Sequence, residues 1–281
     1  MAAPPAIPIT CAHSPDSDDA YMFYGLATRK IRSGLVSLSH VLADIETLNL
    51  KARQGCYEMT ALSYHAYAYV AERYVLMASG SSVGDGYGPL LVANSPCSAE
   101  QIRGRRVAVP GKLTTAYLAL KLMEPDIEPV VLPFDAVLEA LRERSVDLAL
   151  VIHEGQLTYA RGGFHRVADL GAWFKQRFQL PLPLGATVLL RSLAPEVQAE
   201  CCRLLRDSIR YAFDHHEEAL NYALQFAREM DARLAEKFVG MYVNQYTLDC
   251  GEQVARAAQK LLDLGWEAGL IPCRVQLEFI R

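Results

Sequence analysis

The feature that most constrains this chain is a repeated exchange between short apolar runs of strand length and longer stretches of helical character. Ile7–Ala12 is followed by Asp18–Thr28, by Leu35–Leu42 and by the helix-like Asp44–Arg53. A strand-like Glu58–Ala61 then turns at Leu62–Ser63 into a helix-like Tyr64–Tyr74. Leu90–Ala93, Arg106–Val109 and Val146–Ile152 have the length and composition of buried strands, and Ser98–Ile102, Thr114–Met123 and Leu138–Arg144 read as helices among them. After a strand-like Ala186–Leu190, the pattern from Ala194 onward is almost wholly helical. Strands and helices alternating in this way pack as a layered α/β fold.

Two crossings rich in Gly and Pro, Gly84–Pro89 and Leu180–Gly185, bracket a middle segment with its own alternation. That predicts one lobe inserted between two halves of another: residues 1–93 and 188–281 in the first lobe, and 94–187 in the second. Ligands of open α/β sheets gather at the carboxyl ends of strands, so the cleft between lobes is the expected site.

Charge narrows the partners. The 28 basic and 32 acidic side chains leave a net charge of -4, which gives no footprint for nucleic acid or an anionic membrane, so an anionic ligand must be held locally. The seven cysteines form no C-x-x-C pair and no metal-ligand spacing, which suits reduced thiols in the cytoplasm. Met1–Ile9 holds three prolines and no basic residue ahead of an apolar run, unlike a secretory signal. Arg, Glu, Asp or Pro interrupts every apolar stretch before it reaches the ~18 residues of a membrane span.

Three segments can carry chemistry. His13-Ser14-Pro15-Asp16-Ser17-Asp18-Asp19 reads as a capped helix start with some ligand contact; it lacks the Gly and later Glu of a calcium loop, so no metal is expected there. Pro110-Gly111-Lys112-Leu113-Thr114-Thr115-Ala116 puts a glycine turn and two threonines at a helix start, where unpaired N–H groups favour an anion such as a carboxylate; the alternative is a threonine that caps only its own helix. Ser63, with the backbone of Ala61 and Leu62, is a counterpart in the other lobe. In Ile152-His153-Glu154-Gly155-Gln156-Leu157-Thr158-Tyr159 a histidine closes an apolar strand, placed for proton transfer or for a structural role. No H-E-x-x-H, Walker loop, G-x-S-x-G elbow or dinucleotide fingerprint occurs, so no cofactor is expected. Tyr64, Tyr67, Tyr69 and Tyr74 have the spacing of a packing face more than of an aromatic platform.

Taken together, V-L-A-D-I-E-T-L-N at Val41–Asn49, A-L-S-Y-H-A-Y-A at Ala61–Ala68, G-D-G-Y-G-P-L at Gly84–Leu90 and I-H-E-G-Q-L-T-Y at Ile152–Tyr159 resemble the family that holds 1,4-dihydroxy-6-naphthoate synthase and chorismate dehydratase. The histidine segment resembles the naphthoate synthase branch. The resemblance implies a two-lobed type II periplasmic-binding-protein fold used as a cytoplasmic carbon–carbon lyase of the futalosine route to menaquinone. It implies cyclic dehypoxanthine futalosine as substrate and His153 as proton acceptor, with contacts at Ala61, Leu62 and Ser63 in one lobe and at Thr115, Ala116 and, to a lesser degree, Thr114 in the other. The partner expected is a small aromatic carboxylate, with no nucleic acid or membrane, bound by a monomer or homodimer. One segment departs: where members carry S-P-C-P-N-D-T-F, this chain has Ser14-Pro15-Asp16-Ser17-Asp18-Asp19-Ala20-Tyr21. Three carboxylates near a cleft oppose an anionic substrate unless they point outward as caps or pair with Lys or Arg. Two other readings fit the same fold, a non-catalytic solute-binding protein or sensor and a chorismate dehydratase.

Overall fold

The computed structural model describes residues 5–227 and 230–281. The reading of Met1–Ile9 turns partly on residues 1–4, which lie outside the described residues. The strands run β1 (Ile7–His13), β2 (Val36–Leu42), β3 (Met59–Ser63), β4 (Tyr74–Met77), β5 (Ser82–Gly84), β6 (Leu90–Ala93), β7 (Arg106–Val109), β8 (Glu128–Val131), β9 (Leu148–Val151), β10 (His165–Asp169), β11 (Leu182–Leu190) and β12 (Phe279–Ile280). They form two sheets. The first has the order β12-β4-β11-β3-β1-β2, with β5 also paired to β11; the second has the order β10-β6-β9-β7-β8.

Each lobe is a parallel βαβ core with antiparallel additions. β1 pairs in parallel with β2 and β3, and β7 with β8 and β9. The inner strands β7 and β9 are covered on both faces, which explains their nearly unbroken apolar sequences, whereas the edge strands β2 and β8 are only partly buried. In the second sheet Val107, Val109, Leu148 and Leu150 enter one core, while Ala108, Ala149 and Val151 enter another on the opposite face, as a period of two requires. The first of these cores continues through Leu118 and Leu120 to Leu261 and Leu262 of the helix Gly251–Glu267 and to Leu62 and Val188 of the first sheet. Side chains from both sheets thus share one apolar body.

The chain enters the second sheet at β6 and is back in the first at β11, by way of the two Gly/Pro-rich crossings. The divisions expected after residues 93 and 187 fall at the end of β6 and inside β11, because β6 bonds to β9 and β10 and β11 bonds to β3, β4 and β5. At the first crossing the Tyr87 carbonyl is wedged between two glycines. A Cβ on Gly84 would lie 2.0 Å from that oxygen and one on Gly171 only 1.8 Å from it, so no other residue fits either place.

The tyrosine segment is shorter as a helix than the sequence suggests. The α-helix covers only Tyr64–Tyr67, since Ala68, Tyr69 and Val70 donate to carbonyls three residues back and tighten into turns. Tyr64, Tyr67 and Tyr74 are fully buried and Tyr69 packs against the same core, in keeping with a packing face. Among the described residues, no helix is long and apolar enough to cross a membrane.

Candidate active site

The local backbone of β9 delivers His153. All four strand residues are buried, the strand ends at Val151, and His153 adopts φ 54°, in the left-handed region. A non-glycine residue there is uncommon and costs on the order of 1–3 kcal/mol, which the surrounding structure must supply. The helix Gly155–Thr158 follows, and a Cβ on Gly155 would lie 2.5 Å from Val151. This tight reversal turns the chain out of the sheet, with His153 on the cleft wall and its ring edge-on to Phe134 at 5.5 Å.

The acidic turn is not a cap. Asp16 occupies the N-cap position of the helix Ser17–Met22, yet its side chain caps nothing; instead its Oδ2 lies 3.1 Å from His153 Nδ1. Asp19 turns back to accept the Ser14 N–H at 2.7 Å. Asp16, Asp18 and Asp19 are all buried, and Asp18 and Asp19 line the cleft. The expectation of a capped helix start is therefore corrected: the carboxylates point inward, and the cation they surround is an imidazole rather than Lys or Arg. Sequence reasoning missed this because the pair is separated by most of the first lobe and half of the second.

The charges set one another. Burial alone would push the His153 imidazole down, but Asp16, Glu154, Asp18 and Asp19 together hold it above the ordinary 6.5. Burial first, then Asp19 and Asp16, raise Asp18 well above the usual carboxylate range. Burial likewise raises Asp19 to about 6, although the Ser14 N–H opposes the shift. Asp16, His153 and Glu154 offer one donor atom each within 4.8 Å of one another, the one such group among the described residues. His13, by contrast, is structural: it stacks on Phe23 at 4.2 Å, meets His40 Nδ1 at 3.1 Å, and is lowered by burial to about 4.

The other walls come from β3, β11 and the helix Thr115–Met123. Asn49 organises the end of β3: it accepts the Ser63 N–H at 2.9 Å and donates to Ser63 Oγ at 3.1 Å. Thr114 caps the helix by accepting the Tyr117 N–H at 3.1 Å, which is the local role left open by the sequence. The Thr115 hydroxyl donates to the Leu184 carbonyl at 2.6 Å and accepts from the His65 N–H at 3.3 Å. It is thus committed to holding the lobes together, and the N–H groups of Thr115 and Ala116, in the first helical turn, are the donors left for an anion.

Ala61, Leu62, Ser63, Thr114, Thr115, Ala116 and His153 all line one cleft of about 760 Å³ that opens to solvent. Several neighbours there carry no motif that marks them in the sequence. Phe238 and Tyr242 reach the cleft from the helix Ala232–Tyr242, and Tyr242 donates to Gln156 at 2.6 Å. Phe238 and Tyr242 lie in the long helical stretch, where an apolar stripe signals packing but not which stripe meets a ligand. The cleft combines a polar acid–base corner with Met22, Ile45, Leu62, Ile152 and Phe238, which suits a flat, partly apolar molecule carrying a few oxygens.

The model of a family described as menaquinone biosynthesis matches residues 9–267. A 1,4-dihydroxy-6-naphthoate synthase of Thermus thermophilus is 42% identical over 248 residues, 88% of this chain and 90% of that protein. One from Streptomyces coelicolor is 36% identical over 267 residues, 93% and 94% of the two chains. The crystal structure of a protein from Archaeoglobus fulgidus superimposes with a TM-score of 0.91 at 46% identity, over 94% of this chain and 98% of that one. The alkanesulfonate-binding protein of Xanthomonas axonopodis pv. citri, at 14% identity, shares the fold alone, with a TM-score of 0.72 over 98% and 97% of the chains. The architecture is accordingly the two-lobed periplasmic-binding-protein fold expected from the sequence.

Proposed function

The chain belongs to the menaquinone-biosynthesis family that holds the 1,4-dihydroxy-6-naphthoate synthases, and on that premise we propose that it is a carbon–carbon lyase acting on cyclic dehypoxanthine futalosine in the cytoplasm. The observation that carries the reading is the Asp16–His153 pair on the wall of a cleft with apolar surfaces.

In this reading the His153 imidazole takes the proton of a substrate hydroxyl through Nε2, while Asp16 holds Nδ1 and stabilises the imidazolium that forms. Loss of that proton turns the hydroxyl carbon into a carbonyl and breaks the adjoining carbon–carbon bond. The electron pair passes into the ring system, which becomes the aromatic bicycle as a three-carbon sugar remnant leaves. Aromatisation provides the driving force. The ring carboxylate would be held by the N–H groups of Thr115 and Ala116, and the ring would lie along Ala61, Leu62 and Ser63. Closure of the lobes would exclude water from the reacting centre.

The test is to incubate the purified protein with cyclic dehypoxanthine futalosine and follow 1,4-dihydroxy-6-naphthoate by liquid chromatography. Absence of product, under conditions where an authentic synthase turns over, would contradict the reading; product from chorismate instead would assign the chain to the dehydratase chemistry.

A further inference from the structure

Asp18 has no role in the mechanism above, yet it is a buried carboxyl group in the cleft wall. It lines the wall at 9% exposure, and its Oδ1 is buried without a hydrogen-bond partner. A buried oxygen left in that state costs free energy unless something else completes it. Five ionisable groups face it: Asp16 and Asp19 from its own turn, His153 and Glu154 from the end of β9, and Tyr242 from the helix Ala232–Tyr242. No lysine or arginine is among the described residues that line the cleft. His153 is the one cation this acidic corner can supply, and its Nδ1 is already taken by Asp16.

Several carboxylates around one imidazolium cannot all ionise, and the proton stays where desolvation is greatest and pairing least. Asp19 accepts the Ser14 N–H and Asp16 meets His153 through Oδ2, although Asp16 Oδ1 is buried without a partner as Oδ1 of Asp18 is; of the three carboxylates, Asp18 is the one with neither kind of contact. We propose that Asp18 is a ligand-binding residue, held as a neutral carboxylic acid that donates a hydrogen bond to an acceptor oxygen of the bound molecule, whether carboxylate, carbonyl or phenolate. A neutral donor explains how a corner built of carboxylates can accept an anion: it offers a proton where an ionised Asp18 would repel. Burial and the neighbouring charges raise its pKa in the direction this requires. The nature of the ligand rests on the function proposed above; the neutral state of Asp18 does not.

The probe is 1,4-dihydroxy-6-naphthoate, titrated calorimetrically into the wild type, Asp18→Asn and Asp18→Leu at pH 6.5 and pH 9. Asp18→Leu should bind about tenfold more weakly than the wild type at pH 6.5, the value of one good hydrogen bond. Asp18→Asn, which keeps a donor that cannot ionise, should bind more tightly than the wild type at pH 9. Equal or tighter binding by Asp18→Leu at pH 6.5 would mean an ionised, repelling Asp18 and would overturn the proposal. If the wild type does not bind the probe at all, the naphthoate reading fails, and the infrared difference spectrum of wild type against Asp18→Asn at pH 7 still decides the protonation state. A carboxylic-acid carbonyl band in the wild type supports the neutral acid, and a carboxylate band in its place overturns it.

Discussion

Asp16 Oδ2 lies 3.1 Å from His153 Nδ1, so a carboxylate that follows the first strand of one sheet orients an imidazole at the end of a strand of the other. The contact fixes which nitrogen of the ring is free to face the cleft, and it joins an element of one lobe to an element of the other. Replacing Asp16 by Asn should therefore lower kcat/KM by about 10²-fold, within the range of general acid–base contributions, with a smaller change in KM. Steady-state kinetics on the variant and the wild type measure the split; an unchanged kcat would show that the pair is structural only.

His153 must be neutral to act as a base, and the carboxylates around it raise its pKa above 6.5. The rate should accordingly fall as pH drops through a value above that of an ordinary histidine, and Asp16→Asn should move this limb toward lower pH. Profiles of kcat/KM against pH for both proteins test it. For stability the sign is the reverse of the rate: a group with a raised folded pKa stabilises fully below its unfolded value and loses that contribution as pH rises through the folded one.

The fold was largely legible because it rests on local signals. β7 and β9 are apolar on both faces, Asp44 and Thr114 stand at the first residues of the stretches read as helices and cap them, and Gly84 marks a crossing that tolerates no side chain. The site was legible only in part. Ala61–Ser63 and Thr114–Ala116 are contiguous segments at element ends, visible as motifs. Asp16 with His153, and Tyr242 with Gln156, are pairings between distant segments, and neither the left-handed turn at His153 nor the inward course of the acidic turn leaves a periodic trace.

Asn49 is fully buried and satisfies both the N–H and the hydroxyl of Ser63. Asn49→Ala would orphan these groups, costing about 1–3 kcal/mol of stability, and would loosen the end of β3 against the ligand. Denaturant unfolding should show the loss and KM should rise. A variant as stable as the wild type would indicate that water replaces the amide.

The His13–His40 pair predicts acid sensitivity apart from the active site. Burial is the leading cause that lowers both to about 4 from 6.5, so the unfolded chain takes up protons that the native state refuses. Stability is present above pH 6.5 and is lost as pH falls from there toward 4, by up to about 3 kcal/mol for His13 at ~1.4 kcal/mol per unit. Chemical unfolding at pH 7 and at pH 4.5, with His13→Phe as the variant, checks it: the variant should lose less stability between the two pH values. An equal loss would place the acid sensitivity elsewhere.

The most direct test of the central claim is single-turnover fragmentation of cyclic dehypoxanthine futalosine by the wild type and by His153→Gln, which keeps the bulk near that of the imidazole but cannot take a proton. The account predicts 1,4-dihydroxy-6-naphthoate from the wild type and a rate at least about 10²-fold lower from the variant, with substrate still bound. Product formation by His153→Gln at the wild-type rate would contradict it.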